Sequence, residues 1–289
     1  MYDIIIIGAG IAGLTSAIYA ARANKKVLII EKQNYGGRII NAMHVRNYPG
    51  FIDISGADLA TNLYVQATSL GADLIYEDAL SIKNGINKKV ITDKNEYKCK
   101  AIIIATGLER RHLNIPGEKE LVGKGVSYCA TCDGNFYKDK VVGVVGGGKS
   151  AIEDAIYLSD IASKVYLISR KDLDEKVDKD NIEVITNHSV DNINYNNKIE
   201  SIDIRSSDDS KNIKLDGLFI SIGYESSNKE FESIIDLDDH GFIISKNTYT
   251  NIDGIFAAGD CVQKDLRQLV TAASDGAIAA TEAIKYIEK

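Results

Sequence analysis

A strand, a glycine-rich turn and a helix followed by a second strand occur twice in this 289-residue chain, and a further strand ending in Gly-Asp returns near its end. The sequence therefore predicts an α/β protein of two Rossmann-like, three-layer (ββα) dinucleotide-binding domains, the second inserted in the first. The expected boundaries are 1–113 with 226–289 for the first domain and 114–225 for the second. The length suits two domains, and an apolar content of 45% is enough for two cores.

Tyr2 to Ile7 is a short apolar run, rich in β-branched isoleucine and too brief for a helix, so it reads as a buried strand. Gly8-x-Gly10-x-x-Gly13 follows at once, then an alanine-rich helix from Leu14 to Arg22 and a strand from Lys26 to Ile30 that ends in Glu31. Such glycines permit a tight turn and let a pyrophosphate approach the helix N-terminus. An acid 18 residues past the last glycine can accept from an adenosine ribose hydroxyl. Gly36-Gly37-Arg38 and Asn47-Tyr48-Pro49-Gly50 are loop signals. Apolar spacing from Asp58 to Leu70 predicts an amphipathic helix, with strands at Leu74 to Tyr76, Lys89 to Thr92 and Ala101 to Ile104. The last strand runs into Ala105-Thr106-Gly107, a close backbone turn.

Ile115-Pro116-Gly117 reads as a linker, and Cys129-Ala130-Thr131-Cys132-Asp133 follows it. Two cysteines three positions apart can close a small disulfide ring, the attacking species in exchange is a thiolate, and Asp133 is placed to move a proton. The same spacing opens many zinc sites, but a closed site needs four ligands. Cys99 and Cys261 are far off in sequence, and His44, His112, His188 and His240 show no ligand spacing, so redox chemistry is expected and a metal is not.

The second unit has a strand at Val141 to Val145, a turn at Gly146-x-Gly148-x-x-Ala151, a helix from Ala151 to Leu158 and a strand at Val165 to Ile168. Ser169-Arg170-Lys171 stands where an NAD site would carry an acid. Two cations there suit the extra phosphate of NADP, whereas Asp172, Asp174 and Glu175 directly behind oppose it. Only 12 residues, Ser169 to Asp180, precede the next strand at Ile182 to Ile185. An NADP-type site at Gly146, Gly148, Ala151, Arg170 and Lys171, and a nucleotide fold kept as scaffold, both stand on these residues. Leu218 to Ile222 is a strand ending in Gly223-Tyr224. Gly254 to Ala258 is a strand ending in Gly259-Asp260, and Arg267-Gln268 leads into a final helix from Leu269 to Ile287.

With 34 basic and 41 acidic residues the net charge is -7, and no basic block suggests a nucleic-acid partner. Four cysteines are too few for a disulfide-stapled secreted scaffold, so a cytoplasmic location is expected. Ile4 to Ala21 is uncharged for 18 residues, but Asp3 precedes it and glycines interrupt it, so neither a targeting peptide nor a membrane span is expected.

Over essentially all 289 residues the chain resembles the low-molecular-weight thioredoxin reductases among the flavoprotein disulfide reductases. The residues that carry this are Gly8 to Gly13, Gly36-Gly37, Asn47 to Gly50, Ala105-Thr106-Gly107, the Cys-Ala-Thr-Cys-Asp-Gly run at 129–134, Gly146 to Gly148, Ala258-Gly259-Asp260 and Arg267-Gln268. The resemblance implies FAD on the first fold, with Gly8, Gly10, Ala12, Gly13 and Glu31 at the adenosine end. Gly36, Gly37, Arg38, Asn47, Ala105, Thr106, Gly107, Gly259, Asp260, Arg267 and Gln268 would lie along the rest of the cofactor. It also implies Cys132 as the thiol beside the flavin, Cys129 as the one that attacks a thioredoxin disulfide, Asp133 as the acid-base group, and a homodimer. The central domain would rotate about hinges near Leu113 to Gly117 and Tyr224 to Asn228.

One departure concerns the electron donor. NADPH-using members carry His-Arg-Arg-x-x-x-Arg where this chain has Ser169-Arg170-Lys171-x-x-x-Glu175, with a shortened segment behind it. In this respect the chain is similar to the ferredoxin-dependent flavin thioredoxin reductases, so ferredoxin is favoured over NADPH as donor. The intact Gly146-x-Gly148-x-x-Ala151 argues the other way. Three rival readings are a flavin dithiol oxidase acting on a small molecule, a flavin- or metal-binding regulatory protein, and a ferredoxin-to-NADP oxidoreductase. The last has no use for Cys129 and Cys132.

Overall fold

A computed structural model describes residues 1–173 and 175–289; Asp174, one of the acids behind the second glycine turn, lies outside the described residues. The chain divides into two compact units, Met1–Glu109 with Glu225–Lys289, and Arg110–Tyr224. The first begins with β1 (Tyr2–Ile7), α1 (Ile11–Arg22), β2 (Val27–Glu31), α2 (Gly56–Ser69), β3 (Asp73–Tyr76), β4 (Ala79–Lys83), β5 (Lys88–Thr92) and β6 (Glu96–Ile104). After β7 (Leu108–Arg110), the second unit holds β8 (Val126–Ser127), α3 (Ala130–Asp133), β9 (Val141–Val145), α4 (Lys149–Ser159), β10 (Lys164–Ile168), β11 (Ile182–Ile185), β12 (Ser189–Tyr195), β13 (Ile199–Arg205), β14 (Ser210–Lys214) and β15 (Gly217–Ile220). The chain returns through β16 (Tyr224–Ser226) to β17 (Ile255–Ala257) and α5 (Leu269–Ile287).

In the first unit the sheet runs β3-β2-β1-β6-β5-β4, with β17 also paired to β6. Alternation along β1 divides its isoleucines between two cores. Ile4 and Ile6 face α1, α2 and α5 through Leu14, Leu59, Ala60 and Ala279, whereas Ile5 and Ile7 join Ile82 and Val90 of the antiparallel strands and Phe231. A strand buried on both faces reads as a continuous apolar run, which is why Ile4 to Ile7 has no polar alternation. β6 serves two sheets' worth of pairing: Glu96 to Cys99 lie antiparallel to β5, and Ile102 to Ile104 lie parallel between β1 and β17. That contact brings residues near 257 to the C-terminal end of β1.

The second unit repeats the plan with a parallel sheet ordered β11-β10-β9-β15-β8. One face is covered by α4 through Ala151, Ile152, Ala155 and Leu158, and the other by the antiparallel meander β12-β13-β14 through Ile193, Ile202, Ile204 and Ile213. The meander was not expected, because β12 to β14 carry Asn192, Asn194, Asp203 and Asn212, residues depleted in strands. Their side chains bond across the outer face, Asn194 Nδ2 to Asp203 Oδ2 at 2.9 Å and Asn212 Nδ2 to Asp203 Oδ1 at 2.8 Å. These amide bonds hold the Asp203 carboxyl below its ordinary range.

Both glycine-turn helices start earlier than their apolar spacing suggests, α1 at Ile11 and α4 at Lys149. The turn itself makes the first helical turn, so periodicity among side chains appears only later. Among the described residues no helix is long and apolar enough to cross a membrane.

Candidate functional site

Cys129 and Cys132 form a disulfide in the second unit. Cys129 is the N-cap of α3, and its sulfur accepts the Cys132 N–H at 3.2 Å. Ser127, buried at the end of β8, ties the motif together. Its hydroxyl accepts the Cys129 N–H at 3.0 Å and donates to Asp133 Oδ2 at 2.6 Å. Asp133 N–H in turn donates to the Cys129 carbonyl at 3.1 Å. The pair, the acid and Ser127 are thus a single hydrogen-bonded knot anchored on the sheet by pairing of Ser127 with Phe219. Sequence reading missed Ser127, whose only signal is its position two residues before the first cysteine. Cys99 and Cys261 are both buried, and burial pushes the Cys99 thiol up to about 12 and raises that of Cys261, so neither presents a thiolate near neutral pH.

The first unit gathers nearly all the residues expected around a flavin. Gly8 has φ +104°, and a side chain on it would strike the Ala105 carbonyl. Gly13 sits against the Gly8 carbonyl oxygen, where a Cβ would lie 1.9 Å away, so strand and helix close on each other only through glycine. Glu31 accepts from Ala9 N at 2.8 Å and from Gln33 N at 2.9 Å, placing its carboxylate at the glycine turn. Residues from the two ends of the chain meet there: Arg38 Nη1 lies 3.7 Å from Asp260 Oδ2, Asn47 Nδ2 donates to Gln268 Oε1 at 3.0 Å, and Ala12 packs on Gly259. Arg267 Nη2 holds the Val262 carbonyl at 3.2 Å, fixing the loop after Asp260. Thr106 donates to the fully buried Asn228, which itself donates to the Gly241 and Cys261 carbonyls. The sequence gives no signal for Lys264, which pairs with Asp275 at 2.7 Å, and marks Asn228 only as the end of an expected hinge.

Two features make this cluster fit a dinucleotide. The N-cap of α1 is Gly10, which has no side chain to cap the helix, and a Cβ there would meet nothing within 4 Å, so the helix N-terminus opens onto free space. Asp260 Oδ1 is buried without a hydrogen-bond partner, an acceptor awaiting a donor such as a ribityl or ribose hydroxyl. A pocket lined by Gly8, Ile30, Glu31, Lys32, Asp78 and Ala79 continues from the glycine turn along the end of β2.

At the second glycine turn the N-cap of α4 is likewise a bare glycine, Gly148, with open space where a Cβ would be. Gly146 packs on Ala151 and on the Ser221 carbonyl. The end of β10 differs from the end of β2. Ser169 is buried with its hydroxyl against Gly147 and accepting the Lys171 N–H at 3.2 Å, and Leu173 packs toward the same glycine. Arg170 and Lys171 are both exposed. Asp172 accepts from Asn187 Nδ2 at 3.1 Å.

Residues 2–276 match the family described as pyridine nucleotide-disulphide oxidoreductase. The chain belongs to that family. Within it the curated relatives are thioredoxin reductases: that of Bacillus subtilis (strain 168) is 41% identical, covering 100% of this chain and 96% of the relative. That of Listeria innocua is 43% identical over 100% of this chain and 95% of the relative. Among solved structures, Lactococcus lactis thioredoxin reductase is 37% identical with a TM-score of 0.85, covering 100% of this chain and 99% of that one. A ferredoxin-flavin thioredoxin reductase from Clostridium acetobutylicum is 32% identical with a TM-score of 0.55, covering 99% of this chain and 97% of that one. Pyridine nucleotide-disulphide oxidoreductases of this kind are flavoprotein disulfide oxidoreductases that bind FAD.

Proposed function

We propose that the chain is an FAD-dependent thioredoxin reductase that passes two electrons through the Cys129–Cys132 dithiol to the disulfide of a thioredoxin. The carrying observation is the Cys129–Cys132 disulfide knotted through Ser127 to Asp133. Bound FAD supplies a two-electron carrier, and Gly10, Glu31 and Asp260 are the groups to hold it. In the reduced enzyme the Cys129 thiolate attacks one thioredoxin sulfur, forming a mixed disulfide and expelling the other sulfur as a thiolate. The Cys132 thiolate then attacks Cys129 Sγ, releasing the second thioredoxin thiolate and restoring the intramolecular disulfide. Asp133 is assigned the protons that the leaving thiolates take up. Cytoplasmic location and a homodimer belong to the same reading.

For the donor, the reading is reduced ferredoxin. Its support is the end of β10, where the Ser169 hydroxyl fills the space beside Gly147 and Glu175 stands where NADPH-using members carry an arginine, while Arg170 and Lys171 keep two cations there. Transfer from ferredoxin to thioredoxin is downhill: a plant-type ferredoxin near roughly -400 mV and thioredoxin near about -270 mV differ by about 130 mV, on the order of 6 kcal/mol for two electrons. A second reading, NADPH as donor, is favoured by the open N-terminus of α4 at Gly148. Anaerobic visible absorbance decides between them: the purified protein is mixed separately with reduced ferredoxin, NADPH and NADH. Flavin bleaching by ferredoxin alone supports the first reading, and fast bleaching by NADPH overturns it in favour of the second. Trapping tests the cysteine roles, since Cys132→Ser should accumulate a mixed disulfide with thioredoxin and Cys129→Ser should not.

A further inference from the structure

Glu118 is 1% exposed, yet its carboxylate is the hub of a polar cluster in the second unit. Oε1 accepts from Leu113 N at 3.0 Å and from the Tyr128 hydroxyl at 2.6 Å, and Oε2 accepts from Asn114 N at 2.7 Å. Tyr128 has a single hydroxyl proton and gives it to Glu118, so its oxygen accepts from His112 Nδ1 at 2.8 Å. His112 packs edge-on against the Tyr128 ring, and the Arg110 guanidinium lies 5.8 Å from that ring's centre. A buried carboxylate with three donors in place is costly to disturb, because each donor it loses is left unsatisfied away from water.

The sequence positions joined in this way matter for the dithiol. Leu113 and Asn114 lie just inside the second unit, which begins at Arg110, and Asn114 turns there in the left-handed region at φ +58°. Tyr128 directly precedes Cys129. The stretch Leu113 to Gly117, expected as a hinge, is therefore pinned at its start by Glu118 and closed by the bond from Glu118 N to the Ile115 carbonyl at 3.3 Å. Before it, between Gly107, φ +68° with open space around it, and His112, the chain runs as β7 paired with β16, and Arg111 N–H donates to the Gly223 carbonyl at 3.1 Å.

We propose that Glu118 is a positioning residue for the dithiol: it locks the segment by which the chain enters the second unit to Tyr128, so that any movement of that segment carries Cys129 with it. This rests on the thioredoxin reductase reading for its functional consequence but not for its physical content. Two measurements on the full-length flavoprotein test it. In hydrogen exchange, Glu118→Ala should speed exchange of the Leu113 and Asn114 amides at least tenfold, while Tyr128→Phe, which keeps the ring, should speed it about threefold. In turnover with thioredoxin, Glu118→Ala should lower kcat about tenfold with KM for thioredoxin unchanged within twofold, and Tyr128→Phe should lower kcat in the same manner by about threefold. Unchanged exchange in both variants, or a rise in KM with kcat intact, overturns the proposal. If the wild-type protein reduces no thioredoxin with any donor, the functional reading has failed. The exchange result and the rate at which dithionite-reduced flavin reduces the Cys129–Cys132 disulfide then decide the role of Glu118.

Discussion

The two glycine turns share a backbone and part company at one strand end. Gly10 and Gly148 both cap their helices with no side chain and with free space beyond, so both helix N-termini are fit for a phosphate. At the end of β2 the chain presents Glu31, already oriented by two backbone amides, and Asp260 lies nearby with a buried oxygen that makes no hydrogen bond and has Lys264 Nζ 3.9 Å away. At the end of β10 it presents Ser169, whose hydroxyl is spent on the local backbone and on filling the space beside Gly147. A fold can keep the geometry that cradles a pyrophosphate while its adenosine end is rebuilt, so the glycine motif alone does not report a ligand.

The comparison can be broken most severely at the dithiol of the second unit. Cys129→Ser should reduce thioredoxin turnover at least about a thousandfold, read by the thiols released, while flavin absorbance stays unchanged. The first turn is tested next: Asp260→Ala should weaken flavin retention by about two orders of magnitude, read by flavin released on dilution, because a buried acceptor to the cofactor is removed. Sharpening the contrast at the second turn, Glu175→Arg should tighten NADPH binding about tenfold, or about 1.4 kcal/mol, read by the NADPH dependence of flavin bleaching. An unchanged dependence would mean that the charge at 175 does not set NADPH affinity.

The smallest effect is expected with pH. Burial alone would raise the Glu118 carboxyl, but bonds from Tyr128 and the amides of Leu113 and Asn114 outweigh it and hold the group below the ordinary carboxylate range. Its folded pKa is depressed, so its stabilising contribution is fully present above the unfolded value of about 4.3 and is lost as pH falls through the folded value. Urea midpoints measured from pH 7 down to pH 3 should fall in the wild type and fall less steeply in Glu118→Gln.

Much of this was legible beforehand where physics is local. The isoleucine strand β1, the bare glycines at the two helix starts and the Cys-x-x-C with its acid announce themselves because each needs those residue types at that spacing. The final helix was placed from Leu269 to Ile287, as α5 stands. The meander β12 to β14 was illegible because its polar residues are satisfied by one another across strands, a pairing that single-strand propensity does not contain. Ser127 escaped notice for a similar reason, since a lone serine acquires meaning only from what the fold brings against it, and the buried hydrogen bonds of Asn228 are likewise absent from its place at the end of an expected hinge.

The class of the molecule, the two nucleotide-type units and the expectation of dithiol chemistry follow from the residues alone, because these depend on covalent spacing and backbone permissiveness. Tertiary structure decided which distant residues share a site. Pairing of β6 with both β1 and β17 brings Arg38 to Asp260 and Asn47 to Gln268, and burial of one carboxylate ties Leu113 and Asn114 to Tyr128. Such contacts cost loop entropy that only the assembled cores repay, and no short stretch of sequence records that exchange.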